Sequence, residues 1–251
     1  DVNEADLVAV TVAGTSPIDT LILKPGIATE LSDLAGTTIG VKGKLPPSIE
    51  VMLLEAGLVA EQDFTTVPLE GFDPLAHIAI DSIVGFPGWK SNEPGRLAAE
   101  HVDFVQFDAS NAGVPGSFGA IFTTRQFIDD HPTATEDFVR ATLRGLAAAI
   151  ADPKAAALAT VELVDDGRNP DTLLIERETF RWETETKVIE NGIPARTIPG
   201  VPSTELLQAE IEAYEAVGLF GAETTPVADD YVDQNLSAGL VTDSGFVIWP
   251  S

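Results

Sequence analysis

A chain of 251 residues with 44% hydrophobic and 22% charged residues has the composition of a globular protein, and it is long enough for one large domain or two lobes. Its 40 acidic residues against 14 basic ones give a formal net charge of −26, which repels nucleic acid and anionic membrane surfaces. With no cysteine, disulfides, thiolate metal sites and cysteine nucleophiles are excluded, and no apolar run of about 18 residues marks a transmembrane helix. Such acidity suits either a solubilising surface or a protein adapted to high salt, where screening relieves self-repulsion. No basic stretch followed by an apolar one opens the chain, and it starts on Asp1 rather than Met, so processing can have removed a leader.

In chain order, residues 7–12 (LVAVTV) read as a buried strand, broken by Gly14-Thr15-Ser16-Pro17. Residues 21–23 resume an extended run that Lys24-Pro25-Gly26 ends. Residues 33–58 form the central unit. Thr38 to Val41 predict a short strand, a loop holding Lys42, Gly43, Lys44, Pro46 and Pro47 follows, and a helix then opens at Ser48. Ile49, Met52, Leu53 and Ala56 make one apolar stripe at i, i+3, i+4 and i+7, and Gly57 stops the helix. A strand, a glycine-bearing loop and a helix together aim backbone N–H groups and a dipole at a ligand.

Further strands are predicted at 64–69, 81–86 and 102–107, with short helices at 71–80 and 93–100. Alternation at these intervals predicts an α/β protein with a parallel-rich sheet flanked by helices. A turn-rich connection, 111–117, leads to a strand at 118–123. Beyond it the pattern is helical: a capping box of Thr133 and Glu136, a helix starting at Asp152-Pro153, helices at 171–186 and 203–217, and a last short one at 229–236.

Four segments carry a family resemblance: LVAVTVAGTSPIDTLILKPGI with DLAGTTIGVKG, the strand IDSIVGFPG, the stretch FDASNAGVPGSFGAIFTTRQFIDDHP, and the helix EDFVRATLRGLAAAIADP. In this order and spacing they resemble the substrate-binding proteins of ABC importers that serve nitrate, sulfonates and thiamine-pyrimidine precursors. The resemblance implies two α/β lobes joined by a hinge of two crossings, near residues 8–23 and 119–124, with the ligand between the lobes. It also implies a first lobe represented here only by 1–24 and a helical return over 119–251, with the second lobe at 25–118. The opening units of the first lobe are then missing, so a second chain or self-association is expected to complete it. A small ligand and an ABC permease are the other implied partners. The implied location is periplasmic, or extracellular and membrane-anchored.

Lys44 and Ser48 flank the loop before the central helix, where the resemblance and the helix dipole both place a ligand; the alternatives are a solvated lysine and a serine that only satisfies backbone donors. Pro46 and Pro47 stiffen that loop. Phe86, Pro87 and Trp89 follow a predicted strand end, where open α/β sheets bind ligands, and an aromatic there can stack on a planar one or simply pack on the lobe. Ser117 and Phe118 fall where pyrimidine-precursor binders of the family carry ligand-contacting aromatics. An acidic residue often follows in those proteins, and Gly119 stands here instead. Thr15 and Ser16, in the first crossing, are candidates to face the cleft, and Trp182 is either a cleft aromatic or core.

His77, His101 and His131 show no zinc spacing, and neither a Gly-x-Ser-x-Gly elbow nor a P-loop is present. Neither a metal, a cofactor nor a catalytic residue is expected. A ligand-capturing subunit of an importer, taking a thiamine-pyrimidine-like heterocycle or a sulfonate- or nitrate-type anion, is the leading reading. The alternatives are an enzyme on the same fold related to thiamine-pyrimidine synthesis, whose cysteine cluster this chain lacks, and a ligand-sensing effector domain, which should bring a basic DNA-binding segment that is absent.

Overall fold

In the computed structural model, which describes residues 6–164, 175–192, 198–221 and 224–249, two sheets are joined by two crossings. Strand β1 (Leu7–Gly14) is β-branched and buried at Val8, Val10, Thr11 and Val12. After Thr15 to Ile18 the chain enters β2 (Asp19–Leu23) of the other sheet. A 3-10 turn at Leu31–Leu34 leads to β3 (Thr38–Val41), α1 (Pro47–Glu55), β4 (Thr65–Pro68), α2 (Pro74–Ile78), β5 (Gly85–Trp89), α3 (Glu93–Ala99) and β6 (Val105–Asp108). Residues 109–117 cross back to β7 (Phe118–Thr124), and helices fill the rest: α4 (Arg125–Asp130), α5 (Pro132–Ala151), α6 (Pro153–Val164), α7 (Ile175–Gly192), α8 (Thr204–Ala216), α9 (Ala228–Tyr231) and α10 (Gln234–Ala238).

The larger sheet has the order β4-β3-β5-β2-β6; β3 runs parallel to β4 and β5, and β2 is antiparallel to β5 and β6. Only β2 runs against the others. Its side chains alternate between faces, so Leu21 and Leu23 join a core with Ile39, Ile49, Met52 and Leu53, while Ile22 joins Phe86 and Leu97. Helices therefore cover both faces. β1 pairs antiparallel with β7, with a bulge between Ala9 and Thr11, and its Val10 packs on Val139 and Leu143 of α5.

Several boundaries differ from the sequence pattern, each for a physical reason. The strand expected at 81–86 lies at Gly85–Trp89 and includes a proline. Lys24 N–H bonds to Val84 O and Lys90 N–H to Ile18 O, so the hydrogen-bonded pairs of β2 and β5 fall on alternate residues. Pro87, opposite Leu21, lands on a non-bonded position where no N–H is needed. Thr133 does not cap α5: the helix starts at Pro132 with no side-chain cap, and Thr135 Oγ1 instead bonds to His131 O at 3.0 Å. α4 was not anticipated; Thr124 Oγ1 caps it by accepting from Phe127 N–H at 3.1 Å. The helix expected at 171–186 runs from Ile175 to Gly192, residues 171–174 lying outside the described ones. The single helix expected at 229–236 is two, because Val232 bridges Ala9 and Asp233 N–H bonds to Ala9 O at 3.1 Å. α8 packs Ala213, Tyr214 and Val217 on the core of the larger sheet, so this part of the C-terminal half lies against α1. No described helix is long and apolar enough to cross a membrane.

Candidate functional site between the sheets

The connections between the sheets run over 15–18, inside the expected 8–23, and over 109–117, just before the expected 119–124, both at the same end of the paired β1 and β7. Just beyond the first crossing stands Asp19, the first residue of β2. Facing it is the first turn of α1. Pro46 holds the N-cap position and offers no side-chain cap, Pro47 sits at the first helical position, and Ile49 N–H and Glu50 N–H both turn back to Pro46 O. Ser48 does not serve as a cap: it is fully buried, and its Oγ donates to Asp19 Oδ2 at 2.6 Å.

α8 completes the cluster. Glu210 and Tyr214, four apart, share one face of the helix. Ser117 and Tyr214 stand beside the Glu210 carboxyl and favour its charged form, and Ser48 stands beside the Tyr214 hydroxyl. The cluster thus runs from Asp19 through Ser48, Tyr214 and Glu210 to Ser117, tying β2, α1, α8 and the second crossing together. Burial holds the Asp19 carboxyl above its ordinary range, Ser48 partly offsets this, and the Glu93 charge adds to the rise. Glu210 is pushed up by burial against its hydrogen bonds, with a further push from Asp19, and Tyr214 is pushed up by burial and then by the Glu210 charge.

A cleft of about 110 Å³ opens on Asp19, walled by Lys42, Lys44, Pro46, Pro87, Gly88 and Trp89. Lys42 Nζ pairs with Glu93 Oε1 at 2.6 Å, and Glu93 Oε2 accepts from Trp89 N–H at 2.8 Å. Glu93 fits because residue 88 is glycine: a Cβ there would stand 2.9 Å from the carboxyl carbon. Lys44 is exposed, and Trp89 is 54% exposed, a free aromatic surface at the cleft wall.

The structure therefore brings Lys44, Pro46, Ser48, Pro87 and Trp89 together around Asp19 and ties Ser117 in through Glu210. Phe86 does not join them. It is fully buried between Ile22 and Leu97 and takes His77 against its ring edge, centroids 5.4 Å apart at 75°, because successive strand residues face opposite ways. Phe86 is core, and the expectation that it meets a ligand is corrected. Phe118 is half-buried with its ring laid over Gly14, where a Cβ would collide with it. Thr15 Oγ1 donates to Gly192 O at 2.9 Å, and Ser16 lines a separate polar cavity with Lys90 and α7. Trp182 lines a larger, mainly apolar cavity of about 590 Å³ beneath β1 and β7. Sequence reasoning missed Asp19, Glu210 and Tyr214. The available signals were an acid at the head of an apolar strand and a Glu-x-x-x-Tyr face on one helix.

The family described as "NMT1/THI5 like" matches residues 3–156, more than half of the chain. The chain belongs to this family. The riboflavin-binding protein RibY of Chloroflexus aurantiacus is 28% identical over 197 residues, spanning 76% of this chain and 54% of that protein. The chain thus spans about half the length of this curated relative. Among solved structures, the ligand-binding component of an ABC-type import system from Staphylococcus aureus superposes with a TM-score of 0.64 at 11% identity, over 94% of this chain and 75% of that one. The periplasmic nitrate-binding protein NrtA from Synechocystis gives 0.62 at 11% identity, over 93% of this chain and 66% of that one. The fold is that of the periplasmic solute-binding proteins.

Proposed function

We propose that this family member is the ligand-capturing subunit of an ABC importer, working outside the cytoplasmic membrane with a permease, and that its solute is a neutral, flat nitrogen heterocycle. The observation that carries the ligand class is the Asp19–Ser48–Tyr214–Glu210 cluster at the crossing. Asp19, the member of this cluster that lines the cleft, suits a ligand that presents an N–H or O–H donor, and a small anion at the first turn of α1 would face the Asp19 carboxylate that already takes Ser48. Trp89 offers a stacking surface. A flavin fits this chemistry, as does an aminopyrimidine, and the riboflavin-binding relative makes riboflavin the first solute to test. Closure needs no covalent chemistry: a ligand touching both sheets shifts the population of lobe arrangements, with residues 15–18 and 109–117 as the hinge. A sulfonate or nitrate is the second reading, favoured by Lys42 and Lys44 at the same cleft. The enzyme and effector readings have no feature of this site behind them.

Calorimetry with riboflavin, an aminopyrimidine and an aliphatic sulfonate at equal ionic strength separates these. Riboflavin is expected to bind, and Trp89→Ala to weaken it by roughly 0.5–1.5 kcal/mol, about two- to twelvefold, the scale of an aromatic stack beyond simple burial. Binding of sulfonate with no heat from either heterocycle would replace the heterocycle with the anion.

The outer edge of β7 has no strand partner among the described residues, and Phe122 on it is 62% exposed. An open apolar edge recruits a further strand, so a second chain, or a second copy of this one, is proposed to complete the smaller sheet. Light scattering is expected to give a mass above that of one chain; a cooperative monomer would remove this proposal.

A further inference from the structure

A second cavity, of about 300 Å³, lies beside the crossings and away from the first turn of α1, lined by Ser16, Lys90, Ser110, Asn111, Lys187 and Asn191 with Thr184 and Val188. In a chain with 40 acidic and 14 basic residues, this lining holds two lysines and no carboxylate. Apart from Val188, every lining side chain can donate a hydrogen bond.

The donors come from three places. Ser16 is in the first crossing, and Ser110 and Asn111 are in the second. Lys187 and Asn191 are four apart on α7, hence on one face. Lys90, just after β5, is held from behind: Asp108, only 8% exposed, takes its Nζ at 3.0 Å, accepts from Asn111 Nδ2 at 3.1 Å and from Gln106 Nε2 at 3.0 Å. Lys90 Nζ also reaches Ser110 Oγ at 3.3 Å. Asp108 neutralises one lysine and fixes two donors. Lys187 makes no ion pair among the described residues. Glu183 and Glu190, near it on α7, do not line the cavity. The negative end of α7 would oppose an anion, but Thr15 already caps the Gly192 carbonyl there.

We infer that this cavity binds an oxyanion of the phosphate or carboxylate class, received by Lys187, Asn191, Asn111 and Ser16. An anion so held touches both crossings and α7, and so, on the reading proposed above, fastens together the segments whose relative movement would open and close the protein. Its source is either a free anion or the anionic end of an organic solute, and both present the same oxygens.

Calorimetry with inorganic phosphate at fixed ionic strength, sodium chloride replacing it in the control, tests this directly. Phosphate is expected to bind the native chain and to bind Lys187→Ala at least tenfold more weakly, and Lys187 does not line the heterocycle cleft, so the outcome does not depend on that site. Lys187 is exposed, and the melting temperature of its variant without phosphate checks that the fold is intact. If Lys187→Ala is nonetheless destabilised, Asn191→Asp, which puts a carboxylate in the cavity, should abolish phosphate binding instead. Glycerol phosphate binding more tightly than inorganic phosphate supports the site with an organic solute as source; the reverse order supports it with a free anion. No phosphate heat with the native chain, or equal affinity in Lys187→Ala and Asn191→Asp, overturns the inference.

Discussion

Phe86→Ala is expected to destabilise the chain by about 3–5 kcal/mol, the range for deleting a fully buried aromatic ring and leaving its cavity. For a chain of this size that lowers the melting temperature by roughly 6–20 °C, at about 2–4 °C per kcal/mol. The ring has no exposed surface and closes the face of β5 opposite α1, against Ile22, Leu97 and the edge of His77. Gly85 and Gly88 flank it in β5, pressed on Leu23 and Glu93, so the strand has little freedom to collapse into the void. Urea unfolding measures the loss. The same variant, assayed below its midpoint, should bind riboflavin as the native chain does. Native-like stability with lost binding would return Phe86 to the site.

What the sequence made legible is local. The 33–58 unit reads correctly as strand, loop and helix because each signal lies within a few residues: the β-branched run of β3, the Pro46-Pro47 entry to α1, and Gly57, whose φ of +80° only glycine adopts freely. The two-sheet architecture was legible through the resemblance. The strand shift to Gly85–Trp89 was not, because whether a proline is tolerated depends on the register against β2, a pairing across more than sixty residues. The centre of the site was hidden for the same reason. Ser48 at a helix start looks like a cap until Asp19 is placed beside it, and Asp19 gains its meaning only when α8, nearly two hundred residues later, brings Tyr214 and Glu210 to α1. From one stretch Trp89 reaches the cleft wall and Phe86 the core, since alternation along a strand says that neighbours face opposite ways without saying which faces the cleft.

Asp19→Asn is expected to weaken binding of an N–H-bearing ligand by about 1.5–3 kcal/mol, roughly ten- to 150-fold, while making the empty protein more stable at pH 8. The substitution keeps the shape and leaves an oxygen for Ser48 Oγ, so it removes the charge and little else. The stability sign follows from the direction of the shift. Burial raises the folded-state pKa of Asp19 above its ordinary 3.8, so the folded protein holds this proton more tightly than the unfolded chain. The stability this confers is fully present below the unfolded pKa and is lost as pH rises through the folded one. Glu210 and Glu185, both raised by burial from an ordinary 4.5, add slopes of the same sign. Stability should therefore fall as pH rises from 4 towards neutrality, and Asp19→Asn should flatten part of that fall, with its gain largest at high pH. A carboxylate that costs the empty fold stability yet strengthens ligand binding is the behaviour of a binding group, because the ligand supplies the donor that burial withheld. Melting curves and calorimetry at pH 5 and pH 8 decide it: lower stability at pH 8 with unchanged affinity would make Asp19 a structural partner of Ser48 and move the ligand elsewhere.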